Sequence, residues 1–325
     1  MQSDRPKKEK TQTMRAITLE DFDSSPGPRE DLPAPTPADN EVLVRVYVSS
    51  VNPVDGAIVA GMMSGMVEHE FPIVLGRDYA GVVERAGSDV RRYAEGDEVY
   101  GFLPAANPTV HDGTWAELIV IPEDNFVARK PAGVDLAAAG AAPLAAVTAL
   151  AVVDALGVSE GDTVLVVGAN GGVGSFAVQL AANAGAKVIA PGLPEDEDYL
   201  RDLGVSEVLE READVAALVH ERHPDGIEAL LDLVSYAPEG FDTHAGVLKD
   251  DGRGASSLGA AGEGSERHNV MAMPTQENLE RLGSLLETGT LRVPIQSTHS
   301  LDQAGEALSA LSTAHTQGKR AIQVA

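Results

Sequence analysis

The stretch that decides the fold of this chain is Thr163-Val-Leu-Val-Val167-Gly168-Ala169-Asn170-Gly171-Gly172-Val173-Gly174-Ser175. Its first five residues are rich in β-branched and aliphatic side chains, which is typical of a fully buried strand. Small residues then turn the chain, and the pattern predicts a helix from Ser175 onward. A glycine run that binds a dinucleotide needs this order of strand, turn and helix.

Individual positions in the turn have physical roles. Gly171 lets the backbone approach a pyrophosphate, and Gly174 lets the helix pack closely on the strand. The helix N-terminus offers unpaired N–H groups and partial positive charge to the phosphates. Ala169 stands where the first glycine of G-x-G-x-x-G is expected, a mild departure. With a second strand at 187–190, the segment predicts a nicotinamide dinucleotide site.

Length and composition limit the classes of protein to which the chain can belong. At 325 residues the chain is long enough for two domains, and an apolar content of 43% is ordinary for a globular protein. The chain contains no cysteine. Disulfides, thiolate zinc sites and cysteine nucleophiles are therefore excluded together.

The chain is strongly acidic, with 50 acidic against 24 basic residues and a net charge of −26. Such a surface repels nucleic acid and anionic membranes, so neither is a predicted partner. A negative charge of this size repels itself strongly, and the acidic composition has one of two explanations. Either the protein works in high salt, where its charges are screened, or the whole source proteome is acidic.

Two segments bear on targeting. Residues 1–13 are polar and have no apolar region behind their lysines, so they predict a disordered extension and no signal peptide. Residues 136–153 are free of charge and long enough to resemble a membrane span. They are mostly alanine and are interrupted by Gly140 and Pro143, which favours a helical connection packed inside the protein. A soluble, cytoplasmic protein is predicted.

The N-terminal part, residues 14–137, has a β pattern with glycine turns and predicts a barrel-like domain. Residues 24–40, rich in Pro, Asp and Glu, predict a surface loop. The segment Asn52-Pro-Val-Asp55 is expected to open a short helix that runs through Ala60. Strands are predicted at 15–18, 41–48, 80–84, 96–102 and 113–120.

The sequence pattern changes after Pro131, where predicted strands alternate with predicted helices. Alternation of this kind implies right-handed βαβ crossovers and a parallel sheet, here over residues 138–287. Residues 288–325 are expected to return to the first domain, with a strand at 291–295, a helix at 301–314 and a last strand at 320–324. The strands predicted for the parallel sheet are 163–167, 187–190, 206–209, 229–233 and 254–258.

Several motifs occur in an order that is specific to one family. They are Asn52-Pro-Val-Asp55, Leu75-Gly-Arg-Asp-Tyr-Ala-Gly81, Gly113-Thr-Trp-Ala-Glu117, Pro143-Leu-Ala-Ala-Val-Thr148-Ala149, Gly171-Gly-Val-Gly174 and His315-Thr-Gln-Gly318-Lys319. From about Met14 to its end, the chain resembles the zinc-independent quinone oxidoreductases of the medium-chain dehydrogenase/reductase superfamily, the zeta-crystallin-like branch.

The resemblance implies an α/β fold. A Rossmann doubly wound parallel sheet would be joined to a GroES-like β-rich substrate domain, with the active site in the cleft between them. Family members commonly reduce quinones or other α,β-unsaturated carbonyls with NADPH, and many are dimers. We therefore expect an NADPH-dependent oxidoreductase, a small-molecule quinone or enone substrate, and a homodimer.

A catalytic zinc is not expected. Zinc-dependent relatives place a cysteine at the position of Asn52 and a histidine at that of Arg77, with a further cysteine or acidic ligand near Leu144. Zinc needs three N, S or O ligands, and these residues do not supply them. The eight histidines are dispersed, and His69-Glu70 is not part of a His-Glu-x-x-His motif.

Without a metal, the cofactor carries the main chemistry, while the protein positions the substrate and stabilises the developing oxyanion. Asn52, whose amide can donate a hydrogen bond, is the first catalytic candidate; the alternative is a turn residue before Pro53. Thr148 lies near the nicotinamide by resemblance; the alternative is a hydroxyl bonded to its own helix. Asp55 and Asp78 suit structural capping or pairing roles.

Two departures from the family concern the substrate. Ala57 and Val59 stand where members often carry a tyrosine and an arginine, so a tyrosine acid is not available there. Residues 60–66 contain three methionines. They form either a flexible apolar lining or a mobile loop whose methionines are buried by chance.

The end of the second predicted strand bears on the choice of cofactor. NAD-specific domains usually place Asp or Glu there to bind the ribose 2′-hydroxyl, whereas this chain has Ala190-Pro191-Gly192. That favours NADPH, with Arg201 or Arg211 to bind its 2′-phosphate. The acidic run 195–198 and the loss of the family's usual lysine argue in the other direction, so NADH stays as the less favoured alternative.

The complete set of predicted cofactor-binding residues is Ala169, Asn170, Gly171, Gly172, Val173, Gly174, Ala190, Pro191, Arg201, Arg211, Val234, Leu258 and Gly259.

The motifs of the chain also bear on three other functions. A short-chain reductase needs Tyr-x-x-x-Lys, and no tyrosine here has a lysine four residues later. An enoyl-thioester reductase of the same superfamily stays open, although carrier docking usually exploits a basic surface. A non-catalytic NADPH-binding sensor also stays open, because the family's tyrosine is missing.

Overall fold

The computed structural model of the protein describes residues 12–107 and 109–325. Most of the predicted N-terminal extension, residues 1–11, lies outside them. The elements of the N-terminal part are β1 (Thr13–Leu19), β2 (Gly27–Pro33), β3 (Glu41–Ser50), α1 (Pro53–Val59), β4 (Ile73–Val74), β5 (Asp78–Ala86), β6 (Glu98–Phe102), β7 (Leu118–Pro122) and β8 (Ala128–Arg129).

Helices then connect to a part in which strands and helices alternate. Its elements are α2 (Leu136–Ala141), α3 (Pro143–Leu156), β9 (Thr163–Val167), α4 (Gly172–Asn183), β10 (Lys187–Gly192), α5 (Glu197–Leu203), β11 (Val205–Glu210), α6 (Val215–Arg222), β12 (Ile227–Asp232), α7 (Pro238–Ala245), β13 (Leu248–Ser256), β14 (Arg267–Asn269) and α8 (Gln276–Glu287). The chain closes with β15 (Ile295–Ser300), α9 (Ala304–Thr313) and β16 (Lys319–Gln323).

The alternating part forms the predicted parallel sheet, with strand order β11-β10-β9-β12-β13-β14. Its central strand β9 is almost wholly buried, with helices packed against it, which explains its unbroken aliphatic sequence. The order reverses at β9, and the glycine turn follows this strand. A ligand crevice is expected at that switch point in an open α/β sheet.

The N-terminal part is the expected β-rich domain. Its main sheet has the order β15-β16-β3-β5-β6-β8, with β7 also paired to β3. The last strand β16 runs antiparallel to β3, with Ala321 opposite Ser50. The C-terminal segment therefore lies in the same sheet as β3, next to the residues that enter α1.

Two local predictions were wrong. Residues 24–40 are not all loop, because β2 pairs antiparallel with β1; it is an edge strand, where proline and charged side chains are tolerated. The strand predicted at 291–295 begins only at Ile295. The segment before it is bound instead by side chains of α4, with Asn183 Nδ2 donating to Thr290 O at 2.9 Å and Gln179 Nε2 to Arg292 O at 3.1 Å.

The charge-free stretch 136–153 lies within the fold as helices α2 and α3, which meet at Ala142. Gly140 allows a close approach, since a Cβ there would lie 2.7 Å from the carbonyl oxygen of Val48 in β3. The helix α2 therefore packs directly on the barrel sheet. Among the described residues, no helix has the length and apolar character needed to span a membrane.

Candidate active site

A cleft of about 610 Å³ lies between the two parts of the molecule. The glycine turn after β9 and the first turn of α4 form one side. The entry to α1, the start of α3 and the segment from Leu311 to Arg320 form the other. The cleft thus combines the predicted dinucleotide turn with the predicted catalytic residue Asn52.

The glycine turn is shaped by close backbone contacts. A Cβ at Gly174 would lie 2.1 Å from the carbonyl oxygen of Gly168, so α4 can pack on β9 only if this residue is glycine. Gly168 has a φ of 89°, a left-handed conformation that also favours glycine. At Gly171 the nearest atom to a Cβ would be 3.4 Å away. Its bare backbone therefore faces the open cleft.

Asn170 ties the glycine turn to the C-terminal segment. Its backbone oxygen accepts a hydrogen bond from Gly318 N at 2.8 Å, and its Nδ2 donates to Thr316 O at 3.0 Å. The segment of residues 314–318, which we call the strap, crosses the cleft next to the turn. The side chain of Asn170 therefore has a structural partner in addition to its place in the cleft.

The floor of the cleft is a buried polar network around Asn52 and Asp78. Asn52 Nδ2 donates to Asp78 Oδ2 at 2.8 Å and to Ser50 Oγ at 3.3 Å. Asp78 Oδ2 also accepts from Ser50 Oγ at 2.6 Å, and Asp78 Oδ1 accepts from Leu144 N at 2.6 Å. This arrangement joins the barrel to the start of α3. Both amide hydrogens of Asn52 are used inside the protein.

Lys319, at the start of β16, completes this floor. Its Nζ donates to Asn52 Oδ1 at 2.6 Å and lies 3.4 Å from both Asp78 Oδ2 and Val51 O. The side chain is 2% exposed and lines the cleft. Sequence reasoning did not assign it a role. The motif 315–319 pointed to this segment, but spacing alone does not show that Lys319 meets a residue 267 positions away.

Asp55 and Arg77 lie below the floor, fully buried. Asp55 Oδ2 accepts from Asn52 N at 2.8 Å, which fixes the first turn of α1. Burial raises the pKa of Asp55 to about 6, although Arg77 and the Asn52 N–H act in the other direction. The guanidinium of Arg77 donates to Asp112 O at 2.8 Å and to Pro104 O at 3.2 Å. Both residues therefore serve the structure, as predicted for Asp55.

The structure places several predicted residues outside the cleft. Thr148 Oγ1 donates to Leu144 O at 2.7 Å, which is the alternative role of a hydroxyl bonded to its own helix. Ala190 and Pro191 are buried in β10. Leu258 and Gly259 follow β13 without lining the cleft. These assignments depended on strand ends or on resemblance, neither of which tells which side chains reach the ligand.

The structure distinguishes the two arginines that were predicted to bind the 2′-phosphate. Arg211 lines the cleft just beyond β11, where its N–H donates to Gly192 O at the end of β10. Arg201 instead pairs with Glu197 at 2.9 Å on the exposed side of α5 and does not line the cleft. The geometry therefore does not support Arg201 as a cofactor ligand. The i, i+4 spacing to Glu197 explains its orientation.

The acidic run 195–198 does not face the cleft as a block. Asp196 is fully buried, and its carboxylate accepts from His315 Nε2 at 2.6 Å and Gln317 Nε2 at 2.8 Å. Burial acts to raise the pKa of Asp196, but hydrogen bonds from Gln317, Leu193 N and His315 outweigh it and hold the pKa below its ordinary value. This carboxylate is thereby tied to the strap.

Val234 lines the cleft where predicted, directly after β12. Its loop is held by the buried carboxylate of Asp232. That carboxylate accepts from Val234 N and Ser235 N at 2.9 Å, from Ser235 Oγ at 2.8 Å and from His244 Nδ1 at 3.0 Å. Burial alone would raise the pKa of Asp232, but the bonds from His244, Ser235 and Val234 lower it to about 2. The wall beside Val234 is therefore rigidly positioned.

A larger open depression of about 860 Å³ lies on the outer face of the barrel, against β5. Its lining includes Glu84, Arg85 and Glu95, and it contains neither the glycine turn after β9 nor a helix N-terminus. The smaller cleft is therefore the candidate active site. Within residues 12–107 and 109–325, no group of three or more His, Asp or Glu side chains is arranged to hold a metal ion.

Known proteins resemble the chain over both of its parts. The family model described as "Alcohol dehydrogenase GroES-like domain" matches residues 38–132, and that described as "Zinc-binding dehydrogenase" matches residues 203–322. The chloroplast envelope quinone oxidoreductase homolog of Arabidopsis thaliana is 29% identical over 310 residues, covering 90% of this chain and 92% of that protein.

Two further comparisons agree. The NADPH-dependent alkenal/one oxidoreductase of Arabidopsis thaliana chloroplasts is 30% identical over 287 residues, covering 86% of this chain and 71% of that protein. The structure of the quinone oxidoreductase from Coxiella burnetii superposes with a TM-score of 0.86 at 26% identity, covering 97% of this chain and 100% of that one. The chain therefore belongs to the quinone oxidoreductase branch of the medium-chain dehydrogenase/reductase superfamily, as an oxidoreductase that uses a nicotinamide cofactor.

Proposed function

We propose that this protein transfers a hydride from NADPH to a quinone or another α,β-unsaturated carbonyl, and that it does so without a metal ion. The charge of the cleft carries the proposal. Arg211, Lys319 and Arg320 line it. The lining formed by the described residues contains no Asp or Glu, and the carboxylate of Asp78 is buried beneath it, paired with Lys319. The chain as a whole has 50 acidic and 24 basic residues. A cationic cleft in so acidic a protein fits a ligand with several phosphate charges.

The residues present fit a dinucleotide. Helix α4 is 12 residues long, and its first turn, Gly172 to Gly174, lines the cleft. The backbone N–H groups of that turn have no acceptor within the helix, and they suit a pyrophosphate. Arg320 Nε is buried and has no hydrogen-bond partner among the described residues. A phosphate oxygen would satisfy it.

The choice of NADPH over NADH is supported by two residues. Arg211 lies at the end of the cleft next to β10, where the ribose of a dinucleotide binds in this fold. Asp196, which would repel a 2′-phosphate if it were free, is turned inward to His315 and Gln317. The name of the alkenal/one oxidoreductase relative, which is NADPH-dependent, points the same way.

The floor does not fit a zinc ion. Arg77, at the position where zinc-dependent relatives have a histidine, is a cation that donates to two backbone carbonyls. The side-chain oxygen of Asn52 already accepts a hydrogen bond from the ammonium of Lys319. A second cation among these donors would be repelled. We therefore assign no step to a metal.

When bound, the dihydronicotinamide supplies a hydride, and the residues of this chain provide position and electrostatic stabilisation. Val51, Pro53, Leu144 and Ala145 surround Asn52 at one end of the cleft with apolar groups. With cofactor and substrate in the cleft, this lining would keep water from the reacting atoms and strengthen each polar interaction there. An electrophilic, uncharged carbonyl compound suits such a lining, and the relatives' names describe quinones and alkenals.

The test is a pair of fluorescence titrations with NADPH and NADH in high salt with a chelator present, followed by addition of 1,4-benzoquinone or an alkenal. We expect tighter binding of NADPH and loss of its absorbance when the acceptor is added. Binding without oxidation by any quinone or enone would instead favour a sensor protein. Failure to bind either nucleotide would refute the proposed function.

We also propose a homodimer. The strand β14 lies at the edge of the parallel sheet, and the exposed side chains of Met271 and Met273 follow it. An open edge strand with apolar neighbours is a surface suited to pairing with a second copy. Light scattering after size exclusion should give twice the chain mass of 33.8 kDa. The mass of a single chain would contradict this.

A further inference from the structure

A cation in direct contact with Asn52 lies at the end of the cleft where the substrate would react. Among the described residues lining the cleft around Asn52, the neighbours Val51, Pro53, Leu144 and Ala145 are uncharged. Asn52 contacts two charged groups, the carboxylate of Asp78 and the ammonium of Lys319, and Lys319 is the cation of the two. Arg211, by contrast, belongs to the opposite end, beyond β11.

We propose that Lys319 is a catalytic residue of the hydride transfer, and that its ammonium stabilises the negative charge developing on the carbonyl oxygen of the substrate. This inference rests on the proposed function. It gives the protein an electrostatic group in the place where the sequence suggested a hydrogen bond from Asn52.

Asn52 has no hydrogen left for this purpose. One amide hydrogen goes to Asp78 Oδ2 at 2.8 Å and the other to Ser50 Oγ at 3.3 Å. The bond from Lys319 to Asn52 Oδ1 fixes the amide in this orientation, because only the oxygen can accept from an ammonium. Asn52 therefore positions Lys319, and the ammonium is the remaining donor.

Lys319 forms a buried ion pair with Asp78, but the contact between the two charged groups is long. Asp78 lies 3.4 Å from its Nζ, while the carboxylate already accepts three shorter bonds of 2.6, 2.6 and 2.8 Å from Ser50, Leu144 N and Asn52. The remaining contact, to Val51 O, is also 3.4 Å. Two ammonium hydrogens are thus held only by long contacts. An incoming oxygen can replace either of them at low cost.

The electron balance shows where this charge acts. When bound, the dihydronicotinamide would supply the hydride as its C4–H bond breaks and NADP⁺ is left, while a C–H bond forms at the β-carbon of the enone. The alkene π pair becomes the new double bond between the α-carbon and the carbonyl carbon, and the carbonyl π pair moves to oxygen. The resulting enolate takes a proton from solvent at its α-carbon. Lys319 keeps its proton throughout and faces the oxygen. A donor preoriented toward a developing oxyanion is worth about 10²–10³ in rate.

The variants Lys319→Met and Lys319→Arg test this, with Lys187→Met as a control that removes an exposed lysine at the start of β10. Single-turnover oxidation of NADPH by an alkenal should slow about 10²–10³-fold in K319M. K319R should recover part of the rate, and K187M should match wild type. The NADPH dissociation constant from fluorescence should change less than about threefold in all variants. A loss in K319M that lies in NADPH affinity would make Lys319 a phosphate ligand and overturn the inference.

Binding of 4-nitrophenol gives a readout that does not depend on turnover. Its absorbance separates phenol from phenolate, so the ionisation of the bound probe reports the electrostatics at the oxygen. In the NADP⁺-bound wild type and in K187M, the bound phenol should ionise at lower pH than in solution, and in K319M it should not. If K319M does not fold, the wild-type titration alone tests the inference. A bound 4-nitrophenol that ionises in wild type at the same pH as in solution would overturn it.

The results also separate this inference from the proposed function. If wild type neither binds nor oxidises NADPH, the proposed function itself fails. If wild type is active and K319M is equally active, only the role of Lys319 is refuted.

Discussion

The buried carboxylate of Asp196 accepts a hydrogen bond of 2.6 Å from the imidazole of His315, and this contact joins the loop after β10 to the strap. Gln317, also in the strap, donates to the same oxygen at 2.8 Å, while Leu193 N donates to the other at 3.0 Å. The two partners belong to opposite sides of the cleft. The pair therefore anchors the strap to the part of the molecule that carries the parallel sheet.

Replacing Asp196 with Ala should weaken NADPH binding about tenfold, because the strap loses its anchor and has to be ordered by the ligand. The measurement is a fluorescence titration, with melting temperature recorded for both variants. Asp198→Ala, in the same acidic run but exposed, is the matched control and should bind like wild type. Equal affinities for the two variants would show that the anchor does not act on the cofactor.

Arg211 and Arg201 form a second matched pair. Arg211→Gln should raise the NADPH dissociation constant about 10- to 100-fold, the effect of losing a charge-assisted bond to a phosphate. NADH affinity should stay within about twofold, since NADH has no 2′-phosphate. Arg201→Gln should change neither value, because that side chain pairs with Glu197 away from the cleft. If R211Q lost the same affinity for NADPH and NADH, Arg211 would be a ligand of the pyrophosphate and not of the 2′-phosphate.

Two glycines of the turn should respond differently to alanine. Gly174→Ala places a Cβ 2.1 Å from Gly168 O, so it should lower the free energy of unfolding by several kcal/mol as α4 is pushed from β9. Gly171→Ala meets its nearest atom at 3.4 Å. It should keep the melting temperature within a few degrees yet weaken NADPH binding at least about tenfold. Chemical denaturation and titration of both variants separate packing from ligand contact.

The stability of the Rossmann part should depend on Asp232 in acid. Its pKa in the folded protein is about 2, against an ordinary 3.8, so the unfolded chain takes up a proton first as the pH falls. The contribution, up to about 2 kcal/mol, is therefore complete above about pH 4 and is lost between about pH 4 and pH 2.

Urea denaturation of wild type and Asp232→Asn at pH 7 and pH 3 measures this. The difference in unfolding free energy between the two proteins should shrink in acid. Asp250→Asn, at an exposed carboxylate near the start of β13, should give no such change. A constant difference for D232N at both pH values would contradict the assignment.

Local sequence determined much of this protein. The aliphatic run 163–167, the glycine turn and the helix behind it follow from short-range patterns, because burial, turn conformation and helix formation each depend on neighbouring residues. Alternation of strands and helices predicted the parallel sheet, and the absence of an acid at Ala190 favoured NADPH before any geometry was known. The order of motifs indicated the family.

Only the tertiary structure decided which side chains meet in the cleft. Lys319 lies against Asn52 across 267 positions of sequence, Arg211 faces inward while Arg201 turns to Glu197, and Asp196 leaves an acidic run to bind His315. Such choices depend on strand order, on the return of β16 to β3 and on which carboxylates become buried. These are long-range packing outcomes, and the residue types alone, read along the chain, do not encode them locally.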